Sequence, residues 1–281
     1  MGNDLESLSF PNATRYVETR FGRVAYTDTD PDGSFSAPPL VFVHGNSASR
    51  KVFHAQLADD FGPRRLLALD LLGHGESDNA TNPERAYTQR GYAATIVEFF
   101  DALGIERAVV VGWSLGGHVG LELIPRFPGL AGLIVTGTPP VNNNTLAEGF
   151  LPAVGYAGAE NITGDQVAEF AEQITVSPPP KWAIEDVRRT DGQARRIMFT
   201  SFVAGHDSDQ KALVERSPVP LAIIDGREDP FINHDYVASL PYAALWRGTP
   251  TVLEGRGHAA FLEDSSHYDE LIRAFLHDNH L

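Results

Sequence analysis

The chain has 281 residues, of which 42% are hydrophobic and 21% charged, and it contains no cysteine. The absence of cysteine excludes disulfides, thiolate metal sites and cysteine nucleophiles, so any catalysis must use oxygen or imidazole groups. The formal net charge of −15 repels phosphate backbones and anionic lipid, so we expect neither nucleic acid nor a membrane as a partner. The balance of apolar and charged residues is typical of a globular protein with a substantial core.

The N-terminal residues 1–6 lack the basic start and the apolar run of a secretory signal. No stretch of about 18 apolar residues occurs in the sequence, so no membrane-spanning helix is predicted. We therefore expect a protein located in the cytoplasm.

The first predicted elements are two strands that alternate apolar and polar residues, at residues 15–19 and 23–29, and form an antiparallel edge hairpin. Further along, short continuous apolar runs predict parallel strands that are covered on both faces. These runs lie at residues 40–43, 66–69, 108–111, 133–135, 221–224 and 251–253. Helical periodicity predicts helices at residues 51–58, 89–103, 115–127, 235–240 and 266–276.

The alternation of strands and helices breaks after residue 139 and resumes near residue 217. The intervening residues carry aromatic and aliphatic side chains at helical spacing, interrupted by Pro178-Pro179-Pro180. We predict a core of residues 1–139 and 217–281 and a mainly helical cap of residues 140–216. The cap is expected over the C-terminal ends of the strands, where open α/β sheets bind ligands.

Large side chains of the predicted cap are candidates to line an apolar substrate slot. Most residues of this kind are expected to form the cap's own core, and only a few are expected to touch a ligand. The candidates are Phe150, Tyr156, Phe170, Trp182 and Met198.

The run Gly112-Trp113-Ser114-Leu115-Gly116 lies between a predicted strand and a predicted helix. A strand, a Gly-x-Ser-x-Gly turn and a helix make a nucleophile elbow, in which the serine takes a strained conformation. Glycine is needed two residues to either side because strand and helix cross there closely. Ser114 is therefore the candidate nucleophile, and the amide of Leu115 at the helix N-terminus is a candidate oxyanion donor.

A serine hydroxyl needs a base to take its proton and a third group to orient that base. Asp229 follows the strand predicted at residues 221–224, and His258 follows the strand predicted at residues 251–253. The chain order Ser114, Asp229, His258 is that of α/β-hydrolases. Glu228 remains an alternative acid.

Two other polar residues near these positions are interpreted as supporting rather than catalytic. Asp225, at the end of a predicted strand, is expected to bond loop amides. His118 lies one helical turn after Ser114 and is read as a packing or supporting residue, because a base on that rigid helix would reach the hydroxyl poorly.

A second oxyanion donor is expected from the loop His44-Gly45-Asn46-Ser47, and the backbone amide of Asn46 is the predicted one. Residues 70–77 follow the next strand and are assigned to the floor of the same pocket, without a catalytic role. The sequence holds no metal-ligand pattern of the His-Glu-x-x-His type and no glycine motif for nucleotides. Neither a metal nor another cofactor is therefore expected.

With these motifs in order, the chain resembles the α/β-hydrolases over nearly its full length, which implies a mostly parallel sheet flanked by helices. Residues 112–120, 136–141 and 189–199 carry a narrower resemblance, to the metal-independent N-acyl-homoserine lactonases. That resemblance implies hydrolytic opening of a homoserine lactone ring and quenching of bacterial quorum signals. Two positions depart from the lactonases: Glu228-Asp229 stands where they carry glutamate, and Phe170 stands where a tyrosine is expected.

The sequence thus predicts a serine hydrolase that acts on a small acyl substrate, a lactone or an ester. A carboxylesterase, a C–C hydrolase and a cofactor-free perhydrolase would use the same three residues. A receptor that holds a ligand on a hydrolase scaffold is a further hypothesis, from another class of protein.

Overall fold

The computed structural model describes residues 13–152 and 155–281, so the N-terminal segment on which the export prediction rests lies outside the described residues. The strands are β1 (Arg15–Thr19), β2 (Gly22–Asp28), β3 (Leu40–Val43), β4 (Leu66–Leu69), β5 (Ala108–Trp113), β6 (Leu130–Thr136), β7 (Leu221–Gly226) and β8 (Thr251–Leu253). Within the described ranges they form one sheet in the order β1-β2-β4-β3-β5-β6-β7-β8.

The sheet combines one antiparallel edge with a parallel body. β1 and β2 form the predicted hairpin, and β2 also pairs antiparallel with β4. From β4 across to β8 every neighbouring pair is parallel. Because parallel neighbours cannot be joined by a tight turn, a helix or a longer connection must carry the chain back each time.

The helices are α1 (His54–Ala58), α2 (Pro83–Ala86), α3 (Gln89–Ala102), α4 (Leu115–Leu123), α5 (Leu146–Gly149), α6 (Asp165–Ile174), α7 (Lys181–Arg189), α8 (Gly192–Ala204), α9 (Gln210–Arg216), α10 (His234–Ser239), α11 (Ala260–Glu263) and α12 (Ser265–Asp278). Across these helices, none has both the length and the apolar content needed to cross a bilayer.

Two predicted helices differ from the structure. The helix expected at residues 51–58 is split into a 3-10 turn, Arg50–Phe53, followed by α1. The helix expected at residues 115–127 ends at Leu123. Pro125 explains that end, because proline has no N–H to donate to the carbonyl of the preceding turn.

Apolar residues cover both faces of the parallel strands. In β5, Val110 packs in one hydrophobic cluster, whereas its neighbours Val109 and Val111 pack in the cluster on the opposite face. Residues that alternate along a strand point to opposite faces, so a strand buried on both sides needs an unbroken apolar run. This double burial is the physical reason why the central strands could be predicted.

The chain between β6 and β7 carries helices α5 to α9. Phe150 forms an isolated antiparallel bridge with Ile232, which links this segment to the loop after β7. Its last helix, α9, packs against α4, and Val214 joins the core cluster there. The division into a core and a cap of residues 140–216 stays a prediction.

Candidate active site

Ser114 occupies a strained turn between β5 and α4. Its φ is 54° and its ψ is −117°, in a region that L-residues rarely adopt. A Cβ added at Gly112 would lie 2.4 Å from the carbonyl oxygen of Gly116, and one added at Gly116 would lie 2.0 Å from that of Val43. The backbone crossing at Ser114 therefore requires both glycines.

His258 and Asp229 form a buried hydrogen-bonded pair. The imidazole Nδ1 lies 2.7 Å from Asp229 Oδ2, and the two residues are only 5% and 4% exposed. The other carboxylate oxygen, Oδ1, accepts the backbone N–H of Phe231 at 2.8 Å, which orients the carboxylate. Because a carboxylate only accepts hydrogen bonds, Nδ1 carries the proton and Nε2 keeps a free lone pair. Glu228, the alternative acid, is exposed.

Several contacts hold this pair beside the elbow. The indole N–H of Trp113 donates to the carbonyl oxygen of His258 at 2.8 Å. The backbone N–H of Ser114 donates to the carbonyl oxygen of Thr136 at 2.8 Å, and the next residue, Gly137, abuts His258. A Cβ at Gly137 would lie 2.6 Å from the imidazole Cε1. The structure thus brings Ser114, Asp229 and His258 to the carboxyl ends of β5, β7 and β8, on one edge of the sheet.

The hydroxyl of Ser114 has no hydrogen-bond partner in the described part of the chain. Catalytic hydrogen bonds of this kind often tighten only when substrate is bound.

The loop after β3 packs directly against Ser114, since a Cβ at Gly45 would lie 3.1 Å from the Cβ of Ser114. His44 fixes this loop: its Nε2 accepts the N–H of Leu71 at 2.9 Å, so its Nδ1 donates to the carbonyl oxygen of Gly45 at 2.7 Å. Burial lowers the pKa of His44, which keeps it neutral in that arrangement.

The backbone N–H groups of Asn46 and Leu115 have no acceptor among residues 13–152 and 155–281. One belongs to the loop against Ser114 and the other begins α4 directly after Ser114. Two free amides placed around a nucleophile can stabilise an oxyanion, which is the role that the sequence predicts for both.

Residues of the segment between β6 and β7 form hydrogen bonds with the same loop. The side-chain amide of Asn46 donates to the carbonyl oxygen of Ala157 at 2.9 Å. Ser49 donates to Asp186 Oδ2 at 2.5 Å, and burial raises the pKa of Asp186 to about 7. The guanidinium of Arg195 reaches the hydroxyl of Ser47 at 3.4 Å. Sequence reasoning missed these links, because residues more than 100 positions apart leave no local pattern.

Asp225 lies at the end of β7 and supports the turn behind the pair. Its Oδ1 accepts the backbone N–H of Gly137 at 2.7 Å, as expected of a strand-end residue that bonds a loop amide. Burial raises the pKa of Asp225 to about 7. Asp225 therefore holds the residue that contacts His258 and does not bond the imidazole itself.

The loop after β4 is held by its own polar contacts. Asp70 accepts the backbone N–H groups of Arg50 at 2.7 Å and Glu76 at 2.8 Å, and it pairs with the guanidinium of Arg50. These bonds agree with the structural role predicted for residues 70–77.

The predicted cap residues fall into two groups. Phe170, Trp182 and Met198 are 2%, 7% and 7% exposed and lie in the hydrophobic clusters, so they serve mainly as packing residues. Phe150 and Tyr156 are half-buried and keep free surface. The hydroxyl of Tyr156 donates to Glu169 Oε2 at 2.7 Å, and its ring stands edge-on to Phe170.

Residues 40–274 match the model of the alpha/beta hydrolase family, and the chain belongs to that family. A solved structure of the N-acyl homoserine lactonase AidH, a mutant complexed with N-hexanoyl homoserine lactone, is similar at 37% identity and a TM-score of 0.90. The alignment covers 95% of this chain and 98% of that one. The predicted resemblance to the lactonases is therefore confirmed.

Other relatives are more distant or match a shorter part of the chain. An uncharacterized protein of Mycobacterium tuberculosis is 26% identical over 86% of this chain and 76% of its own length. An uncharacterized carboxylesterase of Bacillus subtilis is 34% identical, over 40% of this chain and 36% of its own. A putative aryl esterase from Burkholderia cenocepacia, at 20% identity and a TM-score of 0.78 over 95% of this chain and 99% of that one, shares the fold.

Proposed function

We propose that this protein is a serine hydrolase that opens the ring of N-acyl-homoserine lactones and so removes bacterial quorum signals. The reaction type is supported by one observation, the hydrogen-bonded pair of His258 and Asp229 beside the strained Ser114. The substrate class is supported by the similarity, over nearly the whole chain, to AidH complexed with N-hexanoyl homoserine lactone.

In the proposed reaction, His258 Nε2 takes the proton of the Ser114 hydroxyl while the oxygen attacks the lactone carbonyl carbon. The N–H groups of Asn46 and Leu115 hold the resulting oxyanion. The imidazolium is stabilised by the carboxylate of Asp229 at 2.7 Å.

Collapse of the tetrahedral intermediate breaks the ring C–O bond, and His258 returns its proton to the leaving oxygen. In a lactone that oxygen stays attached to the acyl group, so the acyl-enzyme carries a free hydroxyl. His258 then deprotonates a water that attacks the ester of Ser114, the bond between the acyl carbon and Ser114 Oγ breaks, and the proton passes from His258 to Oγ. One water is consumed, and a single product, the N-acyl homoserine, leaves with a carboxyl group.

A carboxylesterase is the second candidate, and the segment shared with the Bacillus subtilis carboxylesterase favours it. The acylation chemistry would be the same, but the alcohol of an open-chain ester would depart before deacylation. Rates on matched lactones and esters therefore separate the two functions.

The test is to mix purified protein with a panel of acyl-homoserine lactones and with the methyl esters of the same N-acyl amino acids, and to follow acid release in a pH-stat. We expect lactones to be opened at least about tenfold faster than their matched esters, a difference that pocket contacts can supply. A preference for the esters would favour the carboxylesterase. Folded protein that releases acid from neither set would refute both.

A further inference from the structure

His118 lies in the first turn of α4, the helix that begins directly after Ser114, and its backbone N–H donates to the carbonyl oxygen of Ser114 at 3.1 Å. Its ring is 5% exposed and is flanked by Phe150 and Phe202, with ring centroids 6.0 and 4.9 Å away. The charge of His258 contributes to lowering the pKa of His118, so the two imidazoles are close enough to interact.

The protonation of His118 is fixed by two glutamines. Its Nδ1 lies 2.7 Å from Gln210 Oε1, and the amide nitrogen of Gln210 donates to Gln89 Oε1 at 2.8 Å and to the carbonyl oxygen of His118 at 3.4 Å. A carbonyl only accepts, so the nitrogen of Gln210 must face it and Oε1 must face the ring. The proton of His118 therefore sits on Nδ1, and burial lowers its pKa to about 4, which keeps the ring neutral.

The other nitrogen of His118, Nε2, has a lone pair and no partner in the parts of the chain that the structure describes. The Nε2 atoms of His74 and His234 are fully buried without a partner, whereas His118 Nε2 keeps some solvent exposure. The first turn of α4 therefore carries a neutral acceptor that is not fully buried.

We propose that His118 Nε2 accepts a hydrogen bond from the amide N–H of an N-acyl lactone and thereby selects substrates that carry an N–H on the carbon next to the attacked carbonyl. This inference rests on the proposed function and names the determinant of its substrate class. The placement fits: the N–H lies two bonds from the carbon that Ser114 attacks, and His118 lies one helical turn beyond Ser114.

The test compares two substrates, N-hexanoyl homoserine lactone and the analogue in which oxygen replaces the amide N–H. In His118→Phe the ring volume stays similar and the acceptor is lost. We expect kcat/KM on the amide substrate to fall about tenfold, as for one lost hydrogen bond, while kcat/KM on the oxygen analogue stays unchanged. The control His206→Phe, at an exposed histidine, should change neither value.

Gln210→Met provides a second variant if His118→Phe melts before assay. This variant removes the acceptor that fixes the proton on His118 Nδ1 but keeps the imidazole ring. The preference for the amide substrate over the oxygen analogue should therefore also fall, by a smaller factor than in His118→Phe. An equal loss on both substrates, or no loss on either, would overturn the inference and leave the lactonase proposal standing. A wild-type protein that opens neither substrate would overturn both.

Discussion

Replacing Asp229 with asparagine should inactivate the protein by reversing the tautomer of His258. Oδ1 of Asp229 accepts the N–H of Phe231 at 2.8 Å, while Oδ2 faces His258 Nδ1 at 2.7 Å. In Asp229→Asn the oxygen of the amide stays with Phe231, because that N–H needs an acceptor. The amide nitrogen then faces the imidazole, and two N–H groups cannot share one hydrogen bond, so the proton of His258 moves to Nε2.

A base protonated at Nε2 cannot take the proton of Ser114. In a serine protease triad the same substitution lowers kcat about 10⁴-fold. At about 1.4 kcal/mol for each factor of ten, this corresponds to roughly 5.5 kcal/mol of lost transition-state stabilisation. We expect a loss of that order in kcat/KM here, without a comparable loss of folding stability, because the amide is nearly the same size as the carboxylate.

The assay is acid release from N-hexanoyl homoserine lactone in a pH-stat, with thermal unfolding measured on the same samples. Glu228→Gln is the matched control, since Glu228 is the neighbouring acid and is exposed. Its kcat/KM should stay within about twofold of wild type, as for most surface substitutions. The reasoning is refuted if Asp229→Asn keeps more than about a tenth of the wild-type activity, or if Glu228→Gln is the variant that loses it.

Two further predictions concern stability. The pKa of Asp225 is raised by burial to about 7, above the roughly 3.9 of an unfolded aspartate, so the folded state holds a proton that the unfolded state releases. The contribution of Asp225 to stability should therefore fall as the pH rises from about 4 to about 7, so the stability of wild type relative to Asp225→Asn should fall over that range in thermal melts; a constant difference between the two would contradict the assignment. Gly116→Ala puts a Cβ 2.0 Å from the carbonyl oxygen of Val43, and should cost about 1–3 kcal/mol or more and lower activity. At the control position Gly155, an added Cβ would meet no atom of residues 13–152 and 155–281 closer than 4.0 Å, so Gly155→Ala should melt as wild type does. Equal melting of both variants would show that the crossing tolerates a side chain.

The parts of the fold that sequence predicted best are those with a local chemical cause. The apolar runs of β3, β4 and β5 are continuous because both of their faces are buried. The hairpin of β1 and β2 could be read from alternation and a glycine turn. Helix ends were harder to place, and α4 stops before Pro125, a residue that marks such an end in the sequence.

The candidate site was predictable only in part, because only some of its features have a local cause in the sequence. Ser114 and its flanking glycines are adjacent in sequence, and the strain of the turn restricts which residues can occupy it. The choice between Asp229 and Glu228 depends on which carboxylate the loop turns inward, and only the structure shows the pairing with His258. The contact between His118 and Gln210 joins residues 92 positions apart, so no local pattern announces it.

The central claim is that Ser114 is an activated nucleophile, and covalent labelling by a fluorophosphonate tests it most directly. Wild-type protein should carry one phosphonyl group, located by mass spectrometry on the peptide that contains Ser114. The variant Ser114→Ala should take up none while keeping the circular dichroism spectrum of the wild type. Labelling that persists in Ser114→Ala, or a wild-type protein that stays unlabelled, would contradict the account.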